Sequence, residues 1–205
     1  MRPLSWKATI TRLVIALLLL ALFPAFPAFA SEYNEARPED LTARNLRASS
    51  AIVIEQTSGQ VLYEKNADEM RPPASTTKVL TALLALTMGN QDDLVTVSAN
   101  AANMPEDASK IGLQAGEQVR LGDLIRATMV QSGNDGAIAI AEHLMGSEAA
   151  FVNLMNEAAM RYGCTRTHFT NSHGYHDDNH LSTARDLAII AREAMQNEEF
   201  REIAR

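Results

Sequence analysis

The chain has 205 residues and a formal net charge of −7, from 25 acidic and 18 basic side chains. That balance excludes an ordinary nucleic-acid binder, because phosphate contacts need clustered Lys and Arg. A lone cysteine, Cys164, excludes an intrachain disulfide framework, and no internal repeat argues for an array, so one domain is expected.

The first thirty residues read as a signal peptide. Arg2, Lys7 and Arg12 form a basic start, Leu13 to Leu22 is an apolar run, and Ala28-Phe29-Ala30 fits the small-x-small rule, which predicts cleavage before Ser31. Pro24 and Pro27 interrupt the apolar stretch short of the roughly 20 residues that a spanning helix needs. Cleavage removes three basic and no acidic side chains, leaving Lys65, Lys78 and Lys110 as the only lysines.

Residues 31 to 47 are polar and read as a linker or loose arm. Ser50 to Glu55 and Val61 to Tyr63 are short β-rich runs around Gln56-Thr57-Ser58-Gly59-Gln60, which predicts an antiparallel hairpin. After Pro72-Pro73, Ser75 to Met88 reads as a helix stopped by Gly89-Asn90. Val79, Leu80 and Ala82 to Leu86 leave it almost no polar face, so it should be buried. Residues 94 to 120 are mixed and polar. Helices are then predicted over 121–131, 137–146 and 149–162, with Ser132-Gly133-Asn134-Asp135-Gly136 as the first junction. A last helix starts at Thr183, where Thr183-Ala184-Arg185-Asp186 fits a capping box. Cys164 follows a helix exit, where nothing activates a thiol, and reads as a small, partly buried residue. Two strands make a poor sheet, and that imbalance signals that something is missing.

Ser75 and Lys78 stand three apart at a helix start, which places both on one face. Serine there can be a plain N-cap. Lysine is less ordinary, since a cation in the first turn meets the wrong end of the helix dipole. That field and burial would lower its pKa and let it take a proton from Ser75, while backbone N–H groups at the terminus could hold an oxyanion. Ser75 is the only serine with Lys at the third position after it. Ser132-Gly133-Asn134, at a tight turn between apolar helices, is the second candidate, against the plainer reading of a capped helix junction. Ser98-Ala99-Asn100 repeats the pattern in a less sharply framed segment. His173, His176 and His180, with Asp177 and Asp178, have the spacing of a metal site but sit in a loop-like run, so no metal or cofactor is expected.

Five segments in order resemble the serine D-alanyl-D-alanine carboxypeptidases, the low-molecular-mass penicillin-binding proteins: Gly59 to Asn66, Pro73 to Lys78, Ser132 to Asp135, Asn171 to Gly174 and Ser182 to Asp186. The resemblance implies an α+β (α/β) fold of the β-lactamase and DD-peptidase kind, a sandwich of antiparallel sheet and helices, with residues 31–205 as its N-terminal and helical part. It implies that Ser75 attacks the bond between two terminal D-alanines of a peptidoglycan stem peptide and forms an acyl-enzyme. Lys78 would be the base, Ser132 would relay a proton to the leaving D-alanine, and Asn134 would bind the substrate carbonyl while holding Lys78. Peptidoglycan pentapeptide stems are the implied partners and β-lactams the implied inhibitors, in the periplasm or extracytoplasmic envelope, with association at a membrane surface.

The family also uses a Lys-Thr-Gly segment on a later strand. Lys65, Lys78 and Lys110 are followed by Asn66, Val79 and Ile111, so none opens it. The chain is therefore expected to be truncated before that segment and to have little activity by itself. The alternatives are an inactive homologue with a structural or binding role and, less favoured because Ser132-Gly133-Asn134 lacks the aspartate of S-D-N, a β-lactamase.

Overall fold

The computed structural model describes residues 46–205. The predicted signal peptide and the polar arm up to residue 45 lie outside them. Strands β1 (Ala51–Ile54) and β2 (Val61–Lys65) are followed by a 3-10 turn over Ala74–Thr77 and by helix α1 (Lys78–Met88). Then come β3 (Leu94–Thr96), the single-turn α2 (Ala99–Ala102), β4 (Gln118–Arg120), α3 (Leu121–Gln131), α4 (Asn134–Met145), α5 (Glu148–Arg161), α6 (Ala184–Ala194) and α7 (Glu198–Ile203).

Helix α1 is the hub. Its apolar surface runs all the way round, and it touches α3, α4, α5, α6 and α7. Leu80, Leu83, Leu84 and Leu86 are buried against Leu124 and Ile125 of α3, Ile140 of α4, Met155 of α5 and Ile190 of α6 within one apolar cluster. Each such leucine contributes about 1.5–3 kcal/mol by leaving water, which makes α1 a platform that cannot tilt without opening the core. Its stop at Gly89 is dictated by packing: Gly89 has an extended backbone, and a Cβ there would run into the Leu121 side chain of α3.

The strands form two separate two-stranded antiparallel sheets, β1 with β2 and β3 with β4. The first pairs Val53 with Tyr63 and Ile52 with Glu64, as the hairpin pattern predicts. The second, pairing Val95 with Val119, has no counterpart in the sequence reading. Three-residue strands leave too short an alternation to read, and only Val95 points fully into the core.

Three helix boundaries also differ from the sequence reading. The α-helix begins at Lys78 rather than Ser75, because the residues from Ala74 wind as a 3-10 turn. Helix α4 starts at Asn134, so the junction before it is only Ser132-Gly133, and Asn134 and Asp135 are helical rather than caps. The last predicted helix is two: α6 is capped by the Thr183 hydroxyl on the Asp186 N–H, and α7 restarts where the Asn197 side chain accepts from the Phe200 N–H. Among the described residues no helix is long and apolar enough to cross a membrane.

Candidate active site

Residues in a 3-10 turn eclipse at a spacing of three, so Ser75 and Lys78 stack more directly than in an α-helix. The turn is entered through Ala74, whose φ of +49° lies in the left-handed region that costs a residue with a Cβ about 1–2 kcal/mol. Ser75 is exposed, whereas Lys78, three residues on, is only 2% exposed. The pair therefore joins a hydroxyl facing solvent to an amine facing the interior.

Lys78 Nζ donates to His173 O at 2.6 Å and to Asn134 Oδ1 at 2.7 Å, and lies 3.2 Å from Ser75 Oγ. None of these acceptors is a carboxylate. Burial without a paired anion disfavours the ammonium and lowers the pKa of Lys78 to about 8, against a smaller upward pull from Asp135. A neutral amine has two N–H bonds and one lone pair. The two short contacts use the N–H bonds, so the lone pair falls on the third and longest direction, toward the Ser75 hydroxyl. That is the geometry of a general base.

Asn134 reaches Lys78 because a tight junction delivers it there. Ser132 takes left-handed angles, φ 56° and ψ 37°, and both its N–H and that of Gly133 bond back to Thr128 O. Ser132 is partly exposed at this turn, and its hydroxyl is not among the hydrogen-bond partners of Lys78 or Ser75. Ser75, Lys78 and Asn134 are thus joined by hydrogen bonds, while Ser132 stands beside them on the turn that carries Asn134. Ser98, by contrast, is a plain N-cap, its hydroxyl accepting from the Ala101 N–H.

Asp135 fixes the other side of this junction. Its carboxylate, 2% exposed, accepts from the N–H groups of Ile111, Gly112, Leu113 and Gly136 at 2.8–3.1 Å. Asn134 N–H also donates to Ser109 O at 2.8 Å. The acid at the helix start satisfies four donors at once and pins the 109–113 loop to α4.

The Asn171 to Tyr175 loop supplies the third side. Asn171 Oδ1 accepts from the N–H groups of His173 and Gly174, its amide donates to Tyr175 O, and Ser172 O accepts from the Thr81 hydroxyl at 2.6 Å. Lys78 and Thr81, one turn apart on α1, therefore hold successive carbonyls of one loop. Glu148 accepts from both the N–H and hydroxyl of Ser172 and lies 3.5 Å from His173 Nε2.

The three histidines do not gather. His173 and His180 are buried, each with its pKa pushed down to about 4 chiefly by burial, and each uses Nδ1 to accept a backbone N–H, from Tyr175 and Thr170. His176 is exposed beside Asp178. Among the described residues no group of three or more His, Cys, Asp or Glu forms a metal site. Cys164 is more buried than the sequence suggests, and burial raises its thiol pKa to about 12, which leaves it unreactive.

The sequence reading missed the His173 carbonyl, since a backbone acceptor has no residue signature, and the anchoring work of Asp135, whose four partners lie 22 to 24 residues upstream or next to it.

Comparison with known proteins agrees with the resemblance. Residues 35–204 match the family model of D-alanyl-D-alanine carboxypeptidase. The D-alanyl-D-alanine carboxypeptidase DacF of Bacillus subtilis is 38% identical over 197 residues, covering 94% of this chain and 49% of the relative. DacA of Escherichia coli is 42% identical over 154 residues, 71% of this chain and 38% of that protein. The crystal structure of penicillin binding protein 6B from Escherichia coli superposes with a TM-score of 0.73 at 32% identity, over 76% of this chain and 52% of that one. The chain spans about half the length of the curated relatives it matches.

Proposed function

The chain belongs to the D-alanyl-D-alanine carboxypeptidase family, and on that premise we propose that Ser75 and Lys78 are the nucleophile and base of a serine D,D-carboxypeptidase site. Neutral Lys78 takes the proton of the Ser75 hydroxyl as Oγ attacks the carbonyl between two terminal D-alanines of a peptidoglycan stem peptide. The tetrahedral intermediate collapses with cleavage of the C–N bond, and the leaving D-alanine nitrogen receives a proton relayed by Ser132. Water then hydrolyses the Ser75 ester. Asn134 holds Lys78 and binds the substrate's amide carbonyl. A β-lactam acylates the same oxygen by opening its ring. Residues 31–205 form the N-terminal and helical part of the catalytic domain, exported after cleavage before Ser31 to the extracytoplasmic envelope, at or near the membrane surface.

The observation that carries this reading is the disposition of Lys78: two N–H directions are taken by carbonyl oxygens, and the third points at Ser75 Oγ, 3.2 Å away. The sequence contains no Lys-Thr-Gly run. In the family this chain resembles, the backbone of that segment supplies the second oxyanion donor; loss of one such donor costs about 10²–10³ in rate, so slow acylation is expected of the 205-residue chain. Prolonged labelling with a fluorescent penicillin should give one adduct, absent in Ser75→Ala; an adduct that survives Ser75→Ala would refute the assignment.

A further inference from the structure

The mechanism above leaves a buried polar chain beside the Ser75 turn unused. His180, 1% exposed, sits 5.5 Å centroid to centroid from Phe169, and its ring is hydrogen-bonded on both sides. The Thr170 N–H can only donate, and it lies 3.0 Å from Nδ1, with the Thr170 hydroxyl at 3.3 Å. Nδ1 is therefore the acceptor, and the proton of the neutral ring is on Nε2. Nε2–H donates to Thr77 Oγ1 at 2.8 Å, and the Thr77 hydroxyl donates onward to Ala74 O at 2.8 Å.

Ala74 is the residue bent into the left-handed region immediately before Ser75. Gly174 passes close beside it, since a Cβ there would overlap the Ala74 backbone. Thr77 is fully buried and lies within the serine–lysine turn, yet it faces away from Lys78 toward His180. A left-handed peptide persists only when its surroundings over-determine it. Here the surroundings are a neutral imidazole 103 residues further along the chain and the hydroxyl it orients.

We infer that His180 is a positioning residue for the Ser75 nucleophile, acting through the Thr77 hydroxyl on the Ala74 carbonyl to set the angle at which the Ser75 side chain leaves the turn. This rests on Ser75 being the nucleophile. The imidazole does not touch substrate. Its contribution is orientation, and small misplacements of a reacting group cost much rate, about 10²-fold for 1 Å. Glutamine preserves the device, since its amide can donate to Thr77 while its carbonyl accepts from Thr170. Phenylalanine fills the space and supplies neither bond.

The test compares the full chain with His180→Gln, His180→Phe, Thr77→Val and, as a stability control on α7, Phe200→Leu. Acylation by a fluorescent penicillin is resolved into the initial dissociation constant and the first-order acylation constant. A parallel set carries Ser75→Cys and is alkylated with iodoacetamide, which needs no oxyanion hole and no leaving-group protonation. The first-order constant should fall about tenfold in His180→Phe and in Thr77→Val with the dissociation constant unchanged. His180→Gln and Phe200→Leu should stay within about twofold of the wild type. The double variant Thr77→Val with His180→Phe should be no slower than the slower single variant, because both remove one linkage. Equal first-order constants across the set, a loss confined to the dissociation constant, or a His180→Gln variant as slow as His180→Phe would overturn the inference. If the wild type forms no adduct, the acyl-transfer reading fails and the alkylation rates of the Ser75→Cys set decide the positioning claim. The same ordering upholds it, and equal rates overturn it.

Discussion

The turn that carries Ser75 is held by hydrogen bonds from three separated parts of the chain: Asn134 on α4, the His173 carbonyl and the His180 ring. The β1–β2 hairpin that precedes it is held by far less. Val53 and Leu62 are 47% and 61% exposed, and an apolar trough lined by Ile52, Val79, Leu187, Ala188 and Ala191 runs between β1, α1 and α6. Its polar ties to α6 lie at the surface, where Arg185 bonds to Glu64 and Arg192 to the Gln56 and Thr57 carbonyls. The site region concentrates buried polar groups with satisfied partners, so removing one partner there strands the others. The hairpin keeps apolar surface in water and few buried partners, so it should tolerate change. Pre-organisation resides in the helical half, around α1.

The largest expected contrast comes from Asp135→Ala, which strands the N–H groups of Ile111, Gly112, Leu113 and Gly136. A loss of about 3–5 kcal/mol is expected, seen as a Tm lowered by about 10 °C in calorimetry. A fall of less than about 3 °C would show that the 109–113 loop does not depend on the carboxylate. Gly174→Ala comes next. Its φ of +86° disfavours a side chain, and the new Cβ meets the Ala74 backbone, so about 2–3 kcal/mol of stability should be lost together with most penicillin labelling. Retained labelling would mean that the Ala74 turn has room to shift.

The smallest effect is expected on the other side of the comparison. Leu62→Ser, on the exposed face of β2, should move Tm by no more than about 2 °C, within the range of ordinary surface substitutions. A loss as large as that of Asp135→Ala would break the contrast and show that the hairpin carries hidden load.

Legibility in the sequence divides along the same line. Helix α1 was readable because a run over residues 79–86 that is apolar except for Thr81 has one stable fate, burial. The Ser75–Lys78 spacing and Asn134 were readable because short motifs survive an error of boundary: the α-helix starts three residues later than expected at the first and three earlier at the second. The His180 to Ala74 link was not readable, since it spans more than a hundred residues and acts on a backbone carbonyl. Nor was the 3-10 turn, whose left-handed Ala74 contradicts local propensity and is imposed by tertiary contacts. The β3–β4 pair escaped because three residues carry no usable period.

The central claim is that a neutral, buried Lys78 activates Ser75, and its most direct test is the pH dependence of acyl-adduct formation at Ser75. Burial lowers the lysine pKa to about 8, so the amine is charged and inactive below that value and neutral above it. Adduct formation, followed by intact-mass spectrometry with fluorescent penicillin, should rise about tenfold per pH unit below 8 and level off above it. In Lys78→Ala the rate should be about 10²–10⁴-fold lower and should lack that rise. A flat profile from about pH 6 to 10, or the same rise in Lys78→Ala, would contradict the account.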